Sequence, residues 1–128
     1  MRINKKSYKI YSKNKFRKSI KLQKISVITV VYNGEKTLEK TIKNVLNQDY
    51  RNLEYIIVYT PSIDSTFDII KKYENKIDKI LFNYDLGIYQ SMNLGTKFAS
   101  GTYVNFMNSG DSFFKKNTIS NVFNFKHN

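Results

Sequence analysis

From Ile25 onward the chain alternates between two hydrophobic periods. Ile25 to Val31 (ISVITVV) is β-branched almost throughout, the composition of a strand buried on both faces. Leu38, Ile42, Val45 and Leu46 then fall at i, i+4, i+7 and i+8, one face of a helix. The intervening Asn33-Gly34 is therefore a strand-to-helix turn, because no second strand pattern follows it. Leu53 to Tyr59 (LEYIIVY) reads as the second strand. Pro61 stops it, and Ser62 or Asp64 suits the cap of the next helix. In that helix Phe67, Ile70, Tyr73 and Ile77 make the apolar stripe. Lys79 to Phe82 is a short third strand. Ile88, Met92, Gly95 and Ala99 predict another helix, with Gly101 at its stop position. Thr102 to Met107 forms the fourth strand, and Thr118 to Phe125 starts a fourth helix. This β-α-β-α-β-α-β order predicts an α/β fold, a mostly parallel sheet with helices on both faces.

Length and charge refine that picture. A chain of 128 residues holds one domain with one modest core, and 10 Tyr and 9 Phe supply its bulk in place of Trp. The net charge is +12, but Met1 to Lys24 carries ten Lys and Arg and no acid. The remaining residues hold twelve bases against ten acids, a net +2, so the basic character belongs to residues 1–24. We read 1–24 as a flexible segment and 25–128 as the folded domain. Such a segment suits anionic lipid headgroups or, less well, nucleic acid, with Tyr8, Ile10, Tyr11 and Phe16 available to dip into a membrane surface. The plainer alternative is a solvated leader with no partner. No run reaches the apolar length of a membrane span, and the N-terminus lacks the apolar stretch of a secretory signal. With no Cys, thiolate metal sites and disulfides are excluded, and a cytoplasmic chain is expected, at most touching the inner face of the membrane.

The chemistry open to this chain is narrow. VYNGEKTL after the first strand has one glycine, so it makes neither a Walker loop nor a dinucleotide-binding turn. The one histidine is His127, next to the end, which removes histidine triads and multi-histidine metal sites. Carboxylates at strand ends remain: Asp64, Asp85 and Asp111. Asn83 to Asp111 reads as a helix feeding an apolar strand that empties into a short acidic loop, the place where open α/β sheets bind ligands. There Asp111 can hold Mg²⁺ or Mn²⁺, which take one or two carboxylates together with substrate phosphates. Equally, Asn108 to Ser112 can be a polar turn in which Asp111 caps the following helix, and Asp85 a turn residue two before Gly87.

Ser26 to Val58 (SVITVVYNGEKTLEKTIKNVLNQDYRNLEYIIV) resembles the opening strand, helix and second strand of family 2 glycosyltransferases, which have the Rossmann-like GT-A fold. The Leu46-Asn47-Gln48 turn before an aromatic residue belongs to that likeness. Tyr84 to Asp111 is similar to the family's segment from D-x-G-I-Y-D-A-M-N-x-G to its acidic metal loop. The resemblance is collinear over nearly all of Ile25 to Asp111, the nucleotide-sugar-binding half of the family.

The resemblance implies transfer of a sugar, with inversion, from a nucleoside diphosphate sugar to a glycan or lipid-linked acceptor in cell-surface polysaccharide synthesis. It implies substrate contacts at Val30 and Tyr32 (base and ribose), at Tyr59 at the end of the second strand, at Asp85 (donor sugar) and at Asn108, with Asp111 as ligand of Mg²⁺ or Mn²⁺. Two positions depart from the family pattern. Tyr59 stands where an aspartate usually meets the base, and Gly110 stands where a first loop acid is common. The family's acceptor-binding half and general base lie past the metal loop and have no counterpart in 25–128, so a truncated domain is expected. A non-catalytic relic, or a module binding nucleotide or membrane through its basic segment, is the alternative.

Overall fold

The computed structural model describes residues 23–126. Met1 to Leu22 and His127, with the readings made of them, lie outside the described residues. The elements in chain order are β1 (Ile25–Val31), α1 (Leu38–Leu46), β2 (Leu53–Tyr59), α2 (Thr66–Lys72), a 3₁₀ turn (Glu74–Lys76), β3 (Lys79–Phe82), α3 (Ile88–Phe98), β4 (Tyr103–Phe106) and α4 (Thr118–Lys126). The four strands form one sheet in the order β3-β2-β1-β4, and every pair is parallel. The α/β expectation therefore holds. The chain steps outward from β1 to β3 and then returns across the sheet to β4, so the strand order reverses between β1 and β4.

Each sheet face has its own apolar layer, because strand side chains alternate. Val27, Val31, Tyr55, Ile57 and Tyr59 pack with Leu38, Ile42 and Val45 of α1, Ile70 of α2, and Ile119 and Phe123 of α4. Ile28, Val30, Ile56 and Val58 form the opposite layer against Met92, Leu94 and Ala99. Helix α3 lies close on that face because Gly95 lacks a side chain: a Cβ there would stand 2.6 Å from Ile28 Cγ2.

A buried charge closes the amino end of the sheet. Glu54 is 5 % exposed and accepts hydrogen bonds from Ser26 Oγ (2.6 Å), Ser100 N (2.9 Å) and Ser100 Oγ (2.9 Å), with Lys79 Nζ at 3.0 Å. A carboxylate so placed is tolerated because each oxygen is met by donors and a cation.

Three local expectations are corrected. The helix after β2 ends at Lys72, and Tyr73 N–H turns back to Ile70 O to start a tighter turn, so Ile77 leaves the helical stripe as extended backbone entering β3. Gly101 is not a helix stop: α3 ends at Phe98 with Ala99 already extended. The glycine is needed because a Cβ would lie 2.6 Å from Ser26 N on β1. The fourth strand is also shorter than Thr102 to Met107, although Met107 N–H still bonds to Ile28 O at 2.8 Å.

Candidate functional site

A cleft of about 280 Å³ opens at the carboxyl end of the sheet, where the strand order reverses. Such switch points are where open α/β sheets take up ligands. Val30, Val31 and Tyr32 from the end of β1 form its floor, and Thr60 follows from the end of β2. Leu86, Gly87, Ile88 and Ser91 contribute the α3 wall, and Asn108 and Ser109 after β4 close the remaining side. The α3 wall is pinned from below. Buried Asn83 takes its N–H to Tyr59 O (2.9 Å), donates Nδ2 to Ser91 Oγ (2.8 Å), and accepts Asp85 N–H at Oδ1 (3.2 Å).

The turn from β1 to α1 carries Asn33 at φ 53, a left-handed conformation that asparagine tolerates better than most residues. Three groups from the β2–α2 connection and the first residue of α2 secure it. Gly34 N–H donates to Thr66 Oγ1 (2.8 Å) and Glu35 N–H to Asp64 Oδ2 (3.3 Å), while Ser65 N–H returns to Glu35 Oε1 (3.0 Å). Asp64 Oδ1 also accepts the Thr66 hydroxyl (2.6 Å), Ser62 Oγ (2.8 Å) and Thr66 N–H (3.0 Å). The Thr66 hydroxyl foremost, opposed by partial desolvation and joined by Ser62, holds the Asp64 carboxyl down at about 2. This aspartate is occupied as the brace between two loops.

Asp111 is placed differently. Its backbone is fixed: its N–H turns back to Asn108 O (2.9 Å), and its carbonyl accepts the Thr41 hydroxyl (2.8 Å). Its carboxylate is exposed and makes no hydrogen bond or ion pair among the described residues. No cluster of three or more acidic or histidine side chains is present among them. One free carboxylate is a hard-oxygen donor, compatible with Mg²⁺ or Mn²⁺ that draws its other ligands from phosphate and water. Gly110 before it has φ +101, so the position of the expected first acid is a backbone conformation that side chains rarely adopt.

Among the residues singled out in the sequence, the fold brings Val30, Tyr32 and Asn108 together in the cleft. Asp85 stands exposed immediately before the cleft residue Leu86, and Asp111 follows Ser109 by two. Tyr59 is elsewhere. It is 3 % exposed, and its ring packs against Phe67 (5.5 Å) and Phe82 (5.6 Å) in the core rather than lining the cleft. Strand alternation puts it there, in line with Tyr55 and Ile57. Sequence reasoning missed Thr60, Ser91 and Ser109, small hydroxyl residues whose only signal was nearness to a strand end or helix start.

Residues 26–127 match the model of glycosyl transferase family 2. The chain is 35 % identical over 105 residues to the UDP-Glc:alpha-D-GlcNAc-diphosphoundecaprenol beta-1,3-glucosyltransferase WfaP of Escherichia coli, covering 81 % of this chain and 41 % of that protein. It is 37 % identical over 95 residues to the putative teichuronic acid biosynthesis glycosyltransferase TuaG of Bacillus subtilis, covering 71 % and 37 %. Among solved structures, S. aureus TarS 1-349 in complex with UDP superposes with TM-score 0.74 at 29 % identity, over 81 % of this chain and 32 % of that one. A mannosyltransferase from Pyrobaculum calidifontis in complex with GDP-Man and Mn²⁺ shares the fold, at TM-score 0.71 and 21 % identity, over 77 % and 31 %. The chain thus spans about two fifths of the curated relatives' length or less. With its parallel sheet, its cleft at the β1–β4 reversal and these matches, the chain belongs to glycosyl transferase family 2.

Proposed function

We propose that this domain binds the donor of a glycosyltransferase that moves a sugar from a nucleoside diphosphate sugar to a lipid-linked or glycan acceptor in cell-surface polysaccharide synthesis. The observation that carries the reading is the cleft between the end of β1 and the Asn108–Ser109 segment, with the free Asp111 carboxylate on the same loop. The relatives named for diphosphoundecaprenol-linked and teichuronic acid substrates, and the UDP-bound neighbour, support this class.

In this reading Val30 and Tyr32 carry the nucleoside. The half-exposed Tyr32 ring gives the base or ribose an apolar surface, and Val30 fills the floor beneath it. Asn108 meets the phosphate side, and Asp85 faces the sugar. Tyr59 contributes through packing rather than contact. Asp111 would hold Mg²⁺ or Mn²⁺, which supplies charge neutralisation for a departing diphosphate. The absence of Cys fits a cytoplasmic setting, and no described helix is long and apolar enough to cross a membrane.

Calorimetric titration with UDP and with GDP, each with and without Mn²⁺, tests the proposal. Saturable binding that strengthens with Mn²⁺ and loses that gain in Asp111→Asn is expected. Folded protein that binds neither nucleotide at millimolar concentration would overturn the reading.

A further inference from the structure

The loop that carries Asp111 has no secondary structure of its own, yet its backbone groups find partners one after another on a single helix. Thr37, Thr41, Asn44 and Gln48 lie at i, i+4, i+7 and i+11, so they form one stripe along α1 and its flanks. The segment after β4 runs beside that stripe in matching order. Thr37 Oγ1 pairs with Ser109 Oγ (2.8 Å). Thr41 Oγ1 accepts Gly110 N–H (2.8 Å) and donates to Asp111 O (2.8 Å). Asn44 accepts Phe113 N–H (2.6 Å) and donates to Phe113 O (3.1 Å). Gln48 donates to Lys115 O (2.7 Å) and accepts Ile119 N–H (3.3 Å).

We infer that this polar stripe is the rail that fixes the Asp111 carboxylate, and that Thr41 is its decisive positioning residue. Thr41 is fully buried, and one hydroxyl serves both sides of the Gly110–Asp111 peptide. Those two bonds straddle the positive-φ glycine, the point where the chain is least constrained by its own side chain. This hydroxyl donates once and accepts once, so an apolar isostere leaves a part-buried N–H and C=O without their partner. Outer-shell groups of this kind typically govern metal affinity by about 10- to 100-fold.

The inference rests on Asp111 being the metal ligand proposed above, and its test separates the two. UDP is titrated into the wild type, Thr41→Val, Thr41→Ser and Asp111→Asn, with and without Mn²⁺, and amide exchange of the wild type is followed by NMR. Expected are an about tenfold or greater loss of the Mn²⁺-dependent gain in Thr41→Val, unchanged metal-free UDP affinity, and recovery in Thr41→Ser. Gly110 and Phe113 amides should exchange slowly although they sit in a loop. If the wild type shows no Mn²⁺ gain, the metal reading fails and the inference with it. If the wild type shows the gain and Thr41→Val keeps it, the inference alone is overturned. Fast exchange at Gly110 in the wild type overturns it too, whether or not Thr41→Val folds.

Discussion

Ser26 and Glu54 are joined across the β1–β2 pair by a 2.6 Å hydrogen bond at the amino end of the sheet, the end away from the cleft. Ser26 Oγ in turn accepts Gly101 N–H (2.8 Å), and Glu54 takes Ser100 and Lys79. Three strands and the α3–β4 loop therefore converge on one carboxylate. The chemistry of the cleft is mounted on a sheet whose other end is locked by charge.

Glu54→Ala should destabilise the domain by about 3 kcal/mol, because it leaves the buried Ser26 hydroxyl and the part-buried Ser100 N–H without an acceptor and Lys79 without its carboxylate partner. Urea unfolding of the variant against the wild type measures this. A change under about 0.5 kcal/mol would mean that water replaces the carboxylate without cost.

Stability should fall in acid. Burial pushes the Glu54 carboxyl up, but bonds from Ser100, Ser26 and Lys79 outweigh it and hold the group down at about 2 against an ordinary 4.5. Asp64 is likewise held at about 2 against 3.8, mainly by the Thr66 hydroxyl. Both folded values lie below the unfolded ones, so the unfolded chain binds more protons in between. Their contribution is complete above about pH 4.5 and is lost as pH falls toward 2. Melting temperature read from pH 7 to 2 should stay level to about pH 5 and then drop, with a shallower drop in Glu54→Gln.

Tyr59→Asp should not create a base-binding acid. It places a carboxylate between Phe67 and Phe82, so lost aromatic packing alone costs about 3–5 kcal/mol. Circular dichroism melts and UDP titration of this variant should give a large loss of stability and no gain in affinity. Tighter UDP binding in a fully stable variant would show that residue 59 can turn into the cleft.

Gly110→Ala should cost about 1–3 kcal/mol through backbone strain at φ +101. Steric contact is a minor part, since the new Cβ would meet Thr37 Cβ at an ordinary 3.5 Å. The Mn²⁺-dependent part of UDP affinity should weaken with it, because relief of the strain moves Asp111. Chemical denaturation and calorimetry together report both effects. An alanine variant as stable as the wild type would show that the loop tolerates the substitution without strain.

Much of the fold was legible because burial on both faces writes itself into strands such as ISVITVV and LEYIIVY, and the periodic faces of α1 and α3 are plain. Less legible was the meaning of isolated small residues. Gly101 looks like a helix stop in one dimension, but a neighbouring strand backbone is what excludes its side chain. Asp64 looks like a free carboxylate at a strand end, until its partners on two loops are counted. Tyr59 looks like a cleft residue until strand parity turns it into the core.

By itself, then, the sequence determined the α/β class, the strand and helix succession, and the family motifs that single out Val30, Tyr32, Asp85, Asn108 and Asp111. These depend on local period and residue type, which a linear chain carries in full. Only the tertiary structure decided which carboxylates are free and which are spent, and that α1 carries a stripe matched to the Asp111 loop. Those outcomes depend on hydrogen bonds between residues about 30 to 70 positions apart, whose partners are chosen when the sheet brings the strand ends together.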